Sequence, residues 1–307
     1  MVQMREFTYP SSDGLHTVYA REWAPDCPPR AVVQIAHGVS DHIGWYAPVG
    51  EYLAERGILV CGNDHLGHGK TAEGKFGSFA PRGGWDMVVE DLRRLRAIQV
   101  EKYPGVPYVR MGHSMGSFLV RTWLCRYPEE GDAAVLSGTG QEPAPVVAAC
   151  KLLSGLLART KGPGYISPLI YMLSMGAYNK KFAPNRTPSD WLSRDERMVD
   201  ACLADPLRAW APTVSLYRDM MGGLQEIARQ ENLVRMNKNA PVYFFAGDRD
   251  PVGNMGKGVE KVAGMFRRAG CTDVTVKLYP GGRHEMINEL NRAEVLADLA
   301  AWLEENV

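Results

Sequence analysis

The sequence has no excess of charge: 35 Lys and Arg stand against 35 Asp and Glu, for a formal net charge of +0 at pH 7. A balanced chain lacks the basic footprint that a nucleic-acid partner demands, and none is expected. No apolar run approaches the ~18 residues a membrane-spanning helix needs. The opening stretch, MVQMREFTYPSSDG, has no apolar core and no small-residue cleavage site, so no signal peptide is read there. The six cysteines, Cys27, Cys61, Cys125, Cys150, Cys202 and Cys271, are scattered and form no C-x-x-C pair. They read as reduced thiols in a cytoplasmic protein. No internal repeat or low-complexity tract is visible.

What is present is an ordinary globular composition, 45% hydrophobic and 23% charged over 307 residues. That length exceeds the usual range for one core, so one large domain with an insertion, or two domains, is expected. Alternating residues at 4–9 and 15–22 flank Ser11-Ser12-Asp13-Gly14 and predict a hairpin. A continuous apolar run at 31–36, broken only by Gln34, and another at 58–62 predict buried strands, and 107–111, 133–136, 241–246 and 274–279 read as further strands. Helical spacing separates them at 45–55, 84–102, 115–126, 258–269 and 287–305. Strands alternating with helices imply an α/β fold with a mostly parallel sheet covered on both faces.

Residues 141–223 interrupt that alternation. They are rich in Pro, Gly, Met and Tyr and carry no strand signal. They read as a helical lid, with Leu152, Leu153, Leu156 and Leu157 on one apolar face, inserted into a core made of 1–140 and 224–307. A helical subdomain with a private core is the alternative. Lys151, Arg159, Lys161, Lys180, Lys181 and Arg186 make the region locally basic. That pattern fits either a solvated face or transient contact with an anionic lipid surface.

The chemistry is carried by Gly112-His113-Ser114-Met115-Gly116, a G-x-S-x-G match between a predicted strand and a predicted helix. In that setting the motif is a nucleophile elbow. A serine hydroxyl needs a base, and the base needs an acid to fix its tautomer. Loops after two later strands supply both in the chain order of the elbow fold. One holds Asp248 and Asp250 and the other His284. Asp250 is chosen as the acid from the Gly247-x-x-Asp250 spacing, leaving Asp248 to bond loop backbone. An oxyanion needs two aimed donors: the N–H of Met115 is one and that of Val39, after the first buried strand, the second. His37, His42, His65 and His68 could be read as metal ligands. The glycines among them mark tight turns and no Cys or Glu completes a set, so they are expected to satisfy loop backbone instead.

Five segments in order, HGVSDHIGWY, NDHLGHGKT, GHSMGS, GDRDPV and GGRHEMINE, resemble the monoacylglycerol lipase and lysophospholipase group of α/β-hydrolases. The resemblance covers 1–140 and 224–307 and is weak through the lid. It implies Ser114 as nucleophile, Asp250 as acid and His284 as base, with Val39 and Met115 as the oxyanion hole. It implies no cofactor and a small-molecule ester or lipid substrate. Ser40 and Asp41 replace the glycine and glutamate common in the first segment, and Ser117 replaces a glycine after the elbow. A short-chain, feruloyl-type or aminopeptidase-like hydrolase with the same triad, or a non-catalytic binding module, stays open at this point.

Overall fold

Residues 1–208 and 210–307 are described by the computed structural model. The runs at 31–36, 58–62, 107–111, 133–136 and 241–246 become strands buried on both faces, and the edge run at 274–279 becomes a half-buried strand. In chain order the strands are β1 (Gln3–Pro10), β2 (Thr17–Ala24), β3 (Ala31–Ala36), β4 (Ile58–Asn63), β5 (Tyr108–His113), β6 (Ala133–Ser137), β7 (Val242–Gly247) and β8 (Val274–Tyr279). They form one 8-stranded sheet in the order β1-β2-β4-β3-β5-β6-β7-β8. The hairpin strand β2 runs antiparallel to β1 and β4, and the pairs from β4 through β3 to β8 are parallel.

Strand alternation divides the core in two. Val32 and Ala36 of β3 face one apolar layer with Leu136 of β6 and Phe244 of β7, under helices α2 (Gly84–Lys102) and α3 (Met115–Arg126). Val33 and Ile35 face the other with Val135 and Phe245, under α1 (Ala47–Ala54) and the C-terminal helix. Two covered faces explain why these strands read as continuous apolar runs.

Between β6 and β7 come α4 (Ala144–Lys161), α5 (Pro168–Leu173), α6 (Met175–Lys180), α7 (Glu196–Ala204), α8 (Val214–Ile227) and α9 (Gln230–Leu233). The boundary expected at 223/224 lies inside α8. That helix caps its start with Thr213 Oγ1 accepting from the Leu216 N–H, and it packs on α2, α3 and α4. The four leucines of α4 do not share one buried face. Leu153 and Leu157 lean on the core, while Leu152 and Leu156 are 76% and 57% exposed. The 3.6-residue period explains the split, because adjacent leucines point about 100° apart.

After β7 follow α10 (Lys257–Arg268), β8 and α11 (Arg292–Asn306). The helix expected over 287–305 is broken into a short turn, Met286–Asn288, and α11. Glu289 causes the break. Its buried carboxylate accepts from the Arg283, Arg194 and Leu290 N–H groups and pairs with Arg194 Nε at 3.0 Å, holding loop backbone rather than a helical turn.

The seating of α8 is testable at Gly223. A Cβ there would lie 2.2 Å from the Trp85 ring on α2. Overpacking of a rigid core costs ~1–3 kcal/mol, against a gain of ~1 kcal/mol from replacing a helical glycine. Gly223→Ala should lower the urea midpoint of the whole protein with the slope unchanged. An unchanged or raised midpoint would contradict this packing.

Candidate active site

In a parallel sheet the carboxyl ends of the strands share one edge, and ligands bind there. The loops after β3, β5, β7 and β8 carry Val39, Ser114, Asp250 and His284 to that edge. Ser114 sits at φ 53° and ψ −122°, a backbone conformation rare for a side-chain-bearing residue. It is held there by close approach of α3 to the sheet. A Cβ on Gly116 would lie 1.9 Å from the Ala36 carbonyl oxygen, so only glycine fits. Ser117, where a second glycine was expected from the resemblance, turns its hydroxyl inward and donates to the Ser114 carbonyl at 2.6 Å.

His284 Nδ1 lies 3.0 Å from Asp250 Oδ1, and both side chains are almost fully buried. A carboxylate can only accept, so Nδ1 carries a proton, and in the neutral imidazole the lone pair falls on Nε2. Asp250 Oδ1 also accepts from the Val252 N–H at 2.9 Å, which fixes the carboxylate in its loop. Asp248 faces elsewhere, with Oδ1 accepting from the Gly281 N–H at 2.7 Å. The His284 ring is framed by the rings of Trp191 and His113, at centroid distances of 5.0 and 4.7 Å.

The loop after β3 lies against the elbow: a Cβ on Gly38 would be 3.3 Å from the Ser114 Cβ. Among the described residues no backbone carbonyl accepts from the Val39 or Met115 N–H. Ser114 and His284 border one cleft of about 360 Å³, shared with Tyr171, Leu203 and Trp210 of the inserted region. Ser114 also borders a narrower apolar pocket of about 90 Å³ lined by Met115, Phe118, Met220 and Leu224. The expected residues therefore converge, with the serine between two cavities.

The histidines after β3 and β4 hold backbone. His37 Nδ1 lies 2.8 Å from the Gly38 carbonyl, so it donates there, and Nε2 accepts from the His65 N–H at 3.0 Å. His65 Nε2 contacts the His37 carbonyl and His68 Nδ1 the Leu66 carbonyl. His37 and His65 stack at 3.9 Å. Among the described residues no group of three or more His, Cys, Asp or Glu could hold a metal ion. All six cysteines are free thiols.

Three charged residues at the site were given no role from sequence: Arg208, Glu285 and Asp41, the last noted only as a departure from the family pattern. Arg208 Nη2 donates to Glu285 Oε1 at 2.5 Å, and its Nε lies 3.5 Å from Asp41 Oδ1. Asp41 and Glu285 fall inside the motif segments quoted above. Arg208 lies in the weakly matching region and has no local signal.

The sequence profile of the serine aminopeptidase, S33 family matches residues 27–291. The monoacylglycerol lipase of Mycolicibacterium smegmatis is 32% identical over 303 residues, covering 97% of this chain and 96% of the relative. The chain belongs to the serine aminopeptidase S33 family of α/β-hydrolases. A thermostable carboxyl esterase from Bacillus coagulans, solved in complex with glycerol, superposes with a TM-score of 0.92 at 29% identity, covering 100% of this chain and 99% of that one. A monoglyceride lipase from Saccharomyces cerevisiae shares the fold, with a TM-score of 0.73 at 20% identity over 100% of this chain and 97% of that one. This protein is therefore a hydrolase of the monoacylglycerol lipase type, as the motif resemblance implied. Among the described residues no helix is long and apolar enough to cross a membrane.

The buried histidines make a pH prediction. Burial holds His68 neutral and lowers its pKa to about 4 from an ordinary 6.5. Above pH 6.5 folded and unfolded chains are both neutral there. Below it the unfolded chain takes up the proton first, and stability falls until the folded pKa is reached. Relative to a His68→Gln variant, the wild-type protein should lose up to ~1.4 kcal/mol per pH unit between about pH 6.5 and 4. Stability–pH curves that run parallel for the two proteins would contradict this.

Proposed function

We propose that this hydrolase cleaves carboxylic esters through an acyl-enzyme on Ser114, with His284 as base, Asp250 as acid, and the Val39 and Met115 N–H groups as oxyanion hole. The observation that carries the reading is the 3.0 Å contact between His284 Nδ1 and Asp250 Oδ1 beside a strained serine elbow. Asp250 fixes the tautomer, so Nε2 can take the Ser114 proton as Oγ attacks the ester carbonyl. The carbonyl oxygen becomes an anion, and the two backbone donors meet it; each such donor is worth ~3 kcal/mol of barrier. His284 then protonates the departing alcohol. A water molecule, deprotonated by the same nitrogen, releases the acid and restores the serine.

The substrate class is read as a monoacylglycerol or lysophospholipid. The relative from M. smegmatis bears the name monoacylglycerol lipase, and the pocket beside Ser114 is lined by Met115, Phe118, Met220, Met221 and Leu224. In this reading residues 141–223 are a cap over the strand ends. Val146, Leu152 and Leu156 of α4 and Leu169, Met172 and Leu173 of α5 are exposed apolar side chains, suited to transient contact with a lipid surface. A second reading, a short-chain carboxylesterase with the same triad, is favoured by the small volume of that pocket, about 90 Å³, and by the likeness to the B. coagulans esterase.

Side-by-side hydrolysis of a monoacylglycerol, a lysophospholipid, a short p-nitrophenyl ester and a feruloyl ester separates the readings. The lipid reading predicts preference for the first two; activity confined to the last two would discard it and keep the triad. Ser114→Ala should reduce turnover by about a thousandfold or more with an unchanged melting temperature. Loss of stability in step with activity would remove Ser114 from its role. Asp250→Asn should cost far more turnover than Asp248→Asn, and the reverse order would make Asp248 the acid.

A further inference from the structure

The buried charges around Arg208 are not explained by stability. The Arg208 side chain is 4% exposed, and its partners Asp41 and Glu285 are 3% and 6% exposed. Taking a cation and two carboxylates out of water costs several kcal/mol per ion, and apolar residues of similar volume usually serve stability as well or better. What the three residues share is position. Arg208 comes from the inserted region, just past α7. Asp41 belongs to the loop that carries Val39, and Glu285 follows His284 directly in the chain.

The guanidinium reaches both loops at once. Nη2 donates to Glu285 Oε1 at 2.5 Å, and Nε donates to the Ser40 carbonyl at 3.4 Å beside Asp41 Oδ1. Its plane lies over the Trp45 ring, whose Nε1 donates to the other Glu285 oxygen at 3.0 Å. Asp41 in turn accepts from the Tyr46 hydroxyl and from the His42 and Gly38 N–H groups. Two further contacts press the same inserted segment onto this loop: Ser40 Oγ donates to the Trp210 carbonyl, and His42 Nε2 meets Asp205 Oδ2 at 2.9 Å. Burial alone would raise Glu285, but the charge and hydrogen bond of Arg208 bring its pKa down to about 2, so it stays ionised next to His284.

We propose that Arg208 is a positioning residue for the hydrolysis, tying the Val39 loop and the His284 loop together and balancing the negative charge of Glu285 beside the base. The proposal rests on the assignment of His284 and Val39 above. Without the guanidinium, burial raises the pKa of Glu285 and Asp41, and the fraction of Glu285 that still ionises is an anion with no balancing cation. Around His284 the titratable groups are then Asp250 on Nδ1, His113 at the ring face and Glu285 at the neighbouring position, with Trp191 as the uncharged wall. An unbalanced anion there favours the imidazolium, which cannot act as base.

The test is the pH profile of kcat/KM for Arg208→Gln, Arg208→Lys and Glu285→Gln, with melting temperatures recorded alongside. Arg208→Gln should lower kcat by roughly tenfold to a hundredfold through loosened geometry. It should also move the acid limb to higher pH by about half a unit or more. Arg208→Lys keeps the charge but not the two-pronged fork, so it should return the limb toward wild type while recovering only part of the rate. Glu285→Gln should move the limb the other way, and it carries the test if Arg208→Gln fails to fold. An acid limb unmoved in Glu285→Gln, or activity that falls only in proportion to stability in the Arg208 variants, would overturn the proposal. Ser114→Ala in the same assay guards the underlying reading: turnover retained in that variant would sink the triad itself, whatever the Arg208 variants do.

Discussion

One close approach organises the site: the start of α3 lies so near β3 that no side chain fits at Gly116. That contact forces the chain to turn sharply at the end of β5 and lifts Ser114 above the sheet in a left-handed conformation. Backbone strain of this kind costs of order 1–3 kcal/mol and persists only where the surroundings over-determine it. Here they do, because β5 is paired on both edges and α3 is buried along nearly its whole length. The rest of the site is arranged around the point where that serine emerges. The parallel sheet delivers the loops after β3, β7 and β8 to the same edge.

A second constraint comes from outside the sheet. The region between β6 and β7 reaches down to the loops it covers. Arg208, Asp205 and Trp210 engage the loop after β3, and the Trp191 and Leu192 carbonyls accept from the His284 and Glu285 N–H groups. The insertion is thus bonded to the two loops that carry Val39 and His284. Its outer side carries exposed leucines and one exposed methionine, Met172. One face serves the geometry of the site while the other meets the surroundings.

Much of this was legible in the sequence, for physical reasons. The strands at 31–36 and 274–279 and the helices at 84–102 and 115–126 appear with the expected ends, because a buried run, a half-buried alternation or a helical stripe each leaves a pattern in the sequence. The spacing within Gly247-x-x-Asp250 picked out the carboxylate that meets His284, since a loop two residues longer reaches further along the sheet edge. The break at Glu289 was invisible, because a glutamate is a good helix former until buried loop donors claim it. The split of the α4 leucines and the seating of α8 were decided by partners far away in the chain. So was Arg208, whose role depends on residues 41 and 285, and no local pattern records such a meeting.

The central claim is that Ser114 is the one activated nucleophile at this edge of the sheet. Its most direct measurement is reaction of the native protein with a fluorophosphonate, which modifies only a serine activated for attack, followed by peptide mass mapping. The account predicts a single adduct on the peptide that contains Ser114, formed with loss of esterase activity in equal proportion. An unreacted Ser114 peptide, or an adduct on another serine while activity is lost, would contradict it.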